Sequence, residues 1–292
     1  MATPRRSYQS NQVFRSGATL AAVGEEKQMS LFQGGWRVLT GFVIAAGALG
    51  QSQAATIKFD EQPLGKIINT QYTASLGVTI SADNFAPGHP DLATIFNTNA
   101  KGTPDSDLEY AWDGGNLKGL GNGVVRKILI IAENAIDSDK NGLIDAPDDE
   151  GSVRPAGTLN FKFKNLQSSF GLDLIDCDGA SEFGADRGYM AFFLRGVEIG
   201  RVGWGAFTDP TSKYYDSTAH WGNNFANRLK PVSIAQLGIQ AFDEVRVNLG
   251  YSTGIDNITF DNSDVSLIIP EPASIGLLGL PLVFAGRRRK VG

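Results

Sequence analysis

Two runs decide the fold class of this chain: Phe242-Asp-Glu-Val-Arg-Val-Asn-Leu249 and Gly254-Ile-Asp-Asn-Ile-Thr-Phe260. The second run alternates apolar and polar residues cleanly, and the first does so imperfectly. Such alternation, rich in β-branched and aromatic residues, is typical of strands that bury one face. The two runs therefore predict two strands near the end of a β-rich domain.

Similar short runs continue towards the N-terminus, separated by segments rich in Gly, Asn, Asp and Pro. Strands are predicted at residues 55–61, 72–81, 124–132, 158–163, 169–175, 189–197 and 202–207. Residues 232–237 fit a strand or a helix, and residues 82–123 are expected to form loops. Many short strands with turn-rich connections predict an all-β fold, with one antiparallel β-sandwich over residues 55–269.

Charge is distributed unevenly along the 292 residues, which carry 26 basic and 31 acidic side chains. Residues 1–54 hold five basic and two acidic side chains, and residues 273–292 hold four basic and none acidic. The central part is therefore strongly acidic. Binding to nucleic acid requires clustered Lys and Arg to neutralise phosphates, so the composition excludes nucleic acid as an expected partner. An acidic composition favours the binding of hard cations, or it serves only to keep the protein soluble.

The N-terminal part contains a pattern typical of export. Residues 29–37 carry one charge, residues 38–50 are apolar or small, and Gln51-Ser-Gln-Ala-Ala55 supplies small residues for cleavage. This order predicts a secretory signal peptide over residues 29–54, cut by signal peptidase. Residues 1–28 lack such a run and are interpreted as a mis-annotated upstream extension, with Met29 as the start. A buried core helix is the alternative interpretation of the apolar run.

The C-terminal part has three features in a fixed order. Pro270-Glu271-Pro272 is followed by Ala273-Ser274, then by an apolar segment at 275–286, then by Arg287-Arg-Arg-Lys290. A short apolar segment ended by a basic cluster is typical of a transient membrane anchor with its cations on the cytoplasmic side.

This arrangement over residues 270–292 resembles the PEP-CTERM family of sorting signals. The resemblance implies a Gram-negative bacterium that makes exopolysaccharide, and recognition of the sorting helix by an exosortase in the inner membrane. It also implies cleavage near Pro270, Glu271 and Pro272, and release to the outer surface or the extracellular matrix. The resemblance concerns the destination of the protein and implies no activity.

The opening and closing strands of the domain resemble those of jelly-roll domains in other exported bacterial proteins. In jelly rolls the first and last strands often lie close together, and a cation can be held between them. The resemblance therefore marks Asp60, Glu61 and Asp256 as positions where a cation could bind. The alternative is that these carboxylates are solvated at strand ends.

One motif carries metal chemistry. Residues 137–148 are similar to the Asp-x-Asp-x-Asn-Gly pattern of EF-hand-type calcium loops, with Asp at position 12 in place of Glu. Ca²⁺ binds six to eight hard oxygens, and this spacing places them around one point. Gly142 permits the turn, and Ile144 is expected to face the core. The predicted ligands are Asp137, Asp139, Asn141, the Leu143 carbonyl, Asp145 and Asp148. An acidic turn without a metal is the alternative.

Four aromatic residues lie in a Gly- and Asn-rich segment, residues 203–227: Trp204, Tyr214, Tyr215 and Trp221. Exposed aromatic rings beside Asn and Asp can stack on sugars, so these residues are candidate sugar-stacking positions. Packing in the core is the alternative. The single cysteine, Cys177, excludes an internal disulfide and is interpreted as a small buried side chain, with an intermolecular disulfide or a catalytic thiol as the alternatives.

The sequence offers little for catalysis. His89 and His220 are the only histidines, and no nucleophile elbow, His-Glu-x-x-His motif or phosphate loop is present. We therefore expect a non-enzymatic structural or carbohydrate-binding protein that is stabilised by calcium and contacts exopolysaccharide. The alternative function is a secreted polysaccharide-active enzyme, a glycoside hydrolase or lyase.

Overall fold

The structure is a computed structural model that describes residues 54–149, 153–179 and 187–261. The predicted upstream extension, signal peptide and sorting signal, with Pro270, Glu271 and Pro272, lie outside the described residues. Among the residues that are described, no helix is long and apolar enough to cross a membrane.

The described chain forms twelve strands and very short helices. The strands are β1 (Ala54–Ile57), β2 (Val78–Asn84), β3 (Ala93–Asn97), β4 (Lys127–Ile131), β5 (Gly157–Gln167), β6 (Ser169–Ile175), β7 (Tyr189–Leu194), β8 (Val197–Gly203), β9 (Ala226–Arg228), β10 (Val232–Ser233), β11 (Phe242–Leu249) and β12 (Gly254–Asp261). The helices are α1 (Thr73–Leu76), α2 (Ile234–Leu237) and a single turn of 3-10 helix (Trp204–Phe207).

The strands form two antiparallel sheets that pack face to face, so the fold is an all-β sandwich. One sheet has the order β2-β5-β11-β7-β8. The other has the order β10-β6-β12-β4-β3, with β1 paired to β12 and β9 paired to β6. The first and last strands are therefore neighbours, with Ala54 opposite Asp261 and Ile57 opposite Ile258. This adjacency is the one expected from the resemblance to jelly rolls.

The core between the sheets is built by the apolar side of each alternating strand. Phe163 from one sheet and Phe260 from the other have ring centroids 5.1 Å apart. Phe242, in the same sheet as Phe163, packs edge-on to it at 6.2 Å. Such tilted and edge-on pairs favour a fixed ring geometry in addition to the burial of apolar area. The alternation in the two closing runs thus specifies the inner faces of both sheets.

Most predicted strands are confirmed, and four predictions need correction. The run at 189–197, predicted as one strand, consists of β7, a turn at residues 195–196 and the first residue of β8. Residues 82–123, expected to form loops, contain the end of β2 and all of β3, whose Ala93–Phe96 are buried because the strand pairs with β4. The run at 72–81 begins as helix α1, which ends at Gly77 in the left-handed conformation before β2 starts. The run at 202–207 leaves the sheet after Gly203 and becomes the 3-10 turn.

The ambiguous run at 232–237 is both a strand and a helix. Val232 and Ser233 pair with β6, and Ser233 then caps helix α2. The Ser233 hydroxyl accepts from the backbone N–H of Gln236, and the Gln236 side chain accepts from the backbone N–H of Ser233. This capping box ends the strand after two residues.

Candidate functional site

The predicted calcium loop, residues 137–148, lies between β4 and β5. Its first part, residues 137–145, is called here the exposed acidic loop. Its acidic side chains are turned inwards on the loop's own backbone. Asp137 accepts from the backbone N–H groups of Asn141 at 3.0 Å and Gly142 at 2.8 Å. Asp145 accepts from the N–H of Ser138 at 2.9 Å, which holds the pKa of Asp145 below its usual range. Backbone donors therefore already stabilise several of the predicted ligand oxygens.

The loop is attached to the sandwich through Ile144. This side chain is 3% exposed, which confirms the expectation that it faces the core. Its backbone N–H donates to the carbonyl of Gly65 at 2.8 Å. A Cβ atom on Gly65 would lie 2.1 Å from the Ile144 carbonyl oxygen, and Gly65 has a φ of +76°. Glycine at this position permits both the close approach and the backbone conformation.

The structure brings together only part of the predicted ligand set. Asp137, Asp139 and Asp145 each place one carboxylate oxygen within 4.8 Å of the others. The Asn141 side-chain oxygen accepts from the N–H of Leu143 at 2.8 Å, inside the same loop. Asp148 belongs to a different group of carboxylates, because the chain after Asp145 turns back towards the end of β4.

That second group consists of Asp105, Asp148 and Asp149 and is called here the buried acidic cluster. One carboxylate oxygen from each lies within 4.8 Å of the other two. Asp105 is 2% exposed and Asp149 is 5% exposed. Burial and the adjacent Asp105 carboxyl raise the pKa of Asp149 well above its usual range. Burial disfavours the charged form of a carboxyl group, and a neighbouring negative charge adds to that effect.

Sequence reasoning missed Asp105 and Asp149 as site residues. Asp105 comes from the loop after β3, and Asp149 comes from the loop after β4. No local spacing connects them, since their proximity depends on how the two loops meet at the end of the sandwich. The only signal in the sequence was that both loops are acidic. Acidic residues are common in loops, so this signal does not identify a site.

The carboxylates at the first and last strands do not form a group of three at metal-binding distance, although, in addition to burial, the charge of Asp60 helps to raise the pKa of Asp256. Asp60 pairs with Arg126 at 3.3 Å, and Glu61 accepts from the Tyr72 hydroxyl at 2.6 Å. Asp256 is 1% exposed, and burial raises its pKa well above the usual range. The groups of three carboxylates found in the described part of the chain do not include these residues.

The four candidate sugar-stacking residues divide into two pairs. Trp204 and Tyr214 pack against Phe207, with ring centroids at 6.5 and 6.2 Å. Trp204 is 1% exposed, so a stacking role for it is wrong: its ring fills the core. Tyr214 is half-buried, and its hydroxyl donates to the Gln236 carbonyl at 3.4 Å.

Tyr215 and Trp221 line one polar cavity of about 360 Å³, and Trp221 also packs against the core. Tyr215 is 39% exposed, and Trp221 is half-buried. Polar residues complete the wall: Asp178, Thr208, Asp216, Ser217 and His220. The cavity lies within the size range of small-ligand sites, about 300–1,000 Å³. An aromatic wall beside hydroxyl, carboxylate and imidazole groups can stack on a sugar ring and hydrogen-bond its hydroxyls.

Two carboxyl groups of this cavity have opposite pKa shifts. Burial and the nearby charge of Asp107 raise the pKa of Asp178. Although partial burial opposes it, hydrogen bonds from Thr218 and Lys230 hold the pKa of Asp216 below its usual range. Cys177, next to Asp178, is 3% exposed in the core, as interpreted from the sequence.

Comparisons with protein-family models, with curated proteins and with solved structures find no match to this chain.

Proposed function

We propose that this chain is an exported surface or matrix protein whose β-sandwich binds carbohydrate without acting on it. The signal-like N-terminal segment and the likeness of residues 270–292 to PEP-CTERM signals support export and exosortase processing. The acidic central part and its all-β fold suit a soluble extracellular domain. A transient contact with the inner membrane, then release into a matrix of exopolysaccharide, follows from the same likeness.

The observation that carries the binding proposal is the polar cavity lined by Tyr215 and Trp221. Its two rings supply apolar surface, and Ser217 and His220 supply hydrogen-bonding groups. The carboxyl groups of Asp178 and Asp216 make the wall acidic. The proposed ligand is therefore a neutral or amino sugar in a polysaccharide, because a uronic acid would meet like charge.

The proposal includes the binding of Ca²⁺ by the exposed acidic loop. Its ligand set would be Asp137, Asp139, Asn141, the Leu143 carbonyl and Asp145, all hard oxygens of the kind that Ca²⁺ prefers. Extracellular loops of this type bind Ca²⁺ with dissociation constants of about 10⁻⁴–10⁻³ M. In that range the ion would stabilise the loop in calcium-containing surroundings.

A glycan array followed by calorimetry tests carbohydrate binding. The full-length protein is screened on neutral, amino and acidic bacterial oligosaccharides, and the best ligand is titrated against Trp221→Ala and Tyr215→Ala. Loss of a stacking ring should weaken binding about tenfold. Phe85→Ala is the matched control, because Phe85 is 46% exposed and lies outside the cavity. Equal affinities for all variants, or binding of acidic glycans only, would contradict the proposal.

A polysaccharide-active enzyme is the second candidate, favoured by the opposite pKa shifts of Asp178 and Asp216. Glycosidases use two carboxyl groups, of which one is kept protonated and the other ionised. In that role Asp178 would be the acid and Asp216 the ionised partner. New reducing ends on the array ligand, lost in Asp178→Asn while binding persists, would identify an enzyme. Binding without product in the wild type would leave the non-enzymatic proposal standing.

A further inference from the structure

The buried acidic cluster lies where three connections meet at one end of the sandwich. Asp105 comes from the β3–β4 connection, and Asp148 and Asp149 come from the β4–β5 connection. Ser252 and Thr253, from the β11–β12 connection, complete the surroundings: they donate to the two oxygens of Asp149 at 2.8 and 2.7 Å. These bonds fix the position of the Asp149 carboxyl group.

The other two residues are also held in place by the backbone. The Asp148 carbonyl accepts from the N–H of Glu133, just beyond β4, at 2.9 Å. Thr103 donates through its hydroxyl to the Asp105 carbonyl at 2.7 Å, which closes a tight turn around Asp105. The carboxyl groups are therefore positioned by the fold and do not converge by chance on a free surface.

The negative charges of Asp105 and Asp149 are not balanced by a basic side chain of the described ranges. Asp105 Oδ1 accepts two long hydrogen bonds, from the N–H groups of Asp107 at 3.3 Å and Leu108 at 3.4 Å. Asp105 Oδ2 is buried and has no hydrogen-bond partner among the described residues unless the neighbouring Asp149 carboxyl group is protonated and donates to Asp105. A buried polar atom without a partner is costly and needs an explanation, such as a bound ion.

The donor chemistry selects the class of ion. All three side chains offer carboxylate oxygens, and the cluster contains no sulfur or imidazole ligand, which argues against zinc. Two oxygens bound to one Ca²⁺ at about 2.4 Å can be at most about 4.8 Å apart. The separations in the cluster satisfy that limit. Mg²⁺ requires shorter bonds, about 2.0–2.1 Å, in a near-ideal octahedron, so the set suits Ca²⁺ better.

We propose that Asp105, Asp148 and Asp149 form a buried Ca²⁺ site that ties the β3–β4, β4–β5 and β11–β12 connections together. This site is distinct from the exposed acidic loop. Asp148, which the sequence predicts as a ligand of that loop, is a ligand of the buried site. The proposal does not depend on carbohydrate binding. The role of the site is to hold one end of the sandwich together. Thr253, which donates to Asp149, also donates through its hydroxyl to the Asp176 carbonyl at 3.4 Å, two residues before Asp178 in the polar cavity.

The test compares Asp105→Asn with Asp107→Asn in the full-length chain, freed of cations with a chelator and titrated with Ca²⁺ alone. Both substitutions remove one charge from the same turn, but Asp107 is not a member of the cluster. Calorimetry and elemental analysis count the bound ions, and thermal unfolding is followed with and without Ca²⁺. Asp139→Asn in the exposed acidic loop is measured in parallel.

We expect Asp105→Asn to bind one Ca²⁺ per chain fewer than the wild type, whereas Asp107→Asn and Asp139→Asn keep that ion. Saturating Ca²⁺, at about a hundredfold over the dissociation constant, should raise the wild-type midpoint of unfolding by about 5–10 °C. Asp105→Asn should lose this rise. Its cation-free midpoint should equal or exceed that of the wild type, because the substitution removes repulsion.

Two results would overturn the site. One is an ion count and a Ca²⁺-dependent rise that are the same in Asp105→Asn and in the wild type. The other is the absence of any calcium binding in a wild-type chain that unfolds cooperatively. A lower cation-free midpoint for Asp105→Asn, with the calcium-dependent rise retained, would likewise assign Asp105 a purely structural role.

Discussion

The exposed acidic loop and the buried acidic cluster contain the same number of clustered Asp side chains, yet their environments differ. In the loop, backbone N–H groups of Ser138, Asn141 and Gly142 donate to the carboxylates. In the cluster, Asp105 Oδ2 has no donor among the described residues unless Asp149 is protonated, and burial together with the Asp105 carboxyl group raises the pKa of Asp149. The loop matches a known motif but can be stable without a cation. The cluster matches no motif, and its buried charge requires a cation or protons.

The difference shows that a spacing motif and an electrostatic need for metal are separate properties. A motif places oxygens around a point, and a turn can do so while satisfying them with its own backbone. Burial removes water and makes every unpaired oxygen expensive. The following predictions use matched substitutions to separate these two effects.

The largest effect is expected for Asp149→Ala, measured by urea unfolding in saturating Ca²⁺. The substitution leaves the Ser252 hydroxyl and the Thr253 N–H without their acceptor in a buried place. Each of the two unsatisfied groups costs about 1–3 kcal/mol, so the free energy of unfolding should fall by about 2–6 kcal/mol. Asp149→Asn keeps one acceptor oxygen and should lose less. Equal losses in the two variants would show that the hydrogen bonds are not what Asp149 contributes.

Gly65→Ala should have the next largest effect on stability. The substitution disrupts the contact between Gly65 and Ile144 that attaches the exposed acidic loop, and it alters no carboxylate. The new Cβ would meet the Ile144 carbonyl oxygen, and the residue would be held at positive φ. We expect a loss of about 1–3 kcal/mol in the free energy of unfolding and faster hydrogen exchange at the Ile144 amide. Gly119→Ala is the control: its φ is +80°, but nothing lies near its Cβ position. If both variants lose the same stability, backbone strain alone explains the loss.

Asp256→Asn tests a buried carboxyl group outside both acidic groups. Because its folded-state pKa is raised, the folded protein binds its proton more tightly than the unfolded chain does. The stability that this proton gives is complete below the unfolded pKa, about 3.9, and is lost as pH rises through the folded value. Asp256→Asn should therefore flatten the decline in unfolding free energy that begins above about pH 4, measured by urea unfolding. An unchanged slope would show that another group controls this pH dependence.

The smallest effect is expected for Asp139→Asn in the absence of cations. The side chain is exposed and keeps an oxygen that can accept from the Asn141 N–H. The free energy of unfolding should change by less than about 0.5 kcal/mol. A loss above about 1 kcal/mol in a chelator would mean that the charge itself holds the loop, and the contrast with the buried cluster would fail.

Periodicity predicted the fold class because it records which face of each strand is buried. The clean alternation at 254–260 became β12, and the run at 169–175 became β6. β3 was missed because its five residues lie among Asn, Asp, Gly and Pro, and their burial is decided by pairing with β4. Tertiary pairing, which local composition does not record, overrides the local signal there.

The candidate sites differ in the same way: a site built from residues close in sequence was predictable, and a site built from distant residues was not. The convergence of Asp137, Asp139 and Asp145 was predictable because these residues are close in sequence, whereas Asp148, predicted as a ligand of the same loop, joins Asp105 and Asp149. Ile144 was correctly placed towards the core. The cluster of Asp105 and Asp149 was not predictable, because it exists only where separate connections meet. Trp204 and Trp221 look alike in the sequence, but the 3-10 turn after Gly203 directs one into the core while the other lines the cavity.

The pairing of β1 with β12 also sets an order of events in folding. β1 has no other strand partner among the described residues, and its register runs from Ala54 to Asp261 across almost the whole domain. Closing so long a loop is entropically expensive, and such non-local contacts slow folding. A chain that emerges N-terminus first therefore keeps β1 unpaired until residue 261 is available. The β1–β12 pairing can therefore form only after β12 has been synthesised.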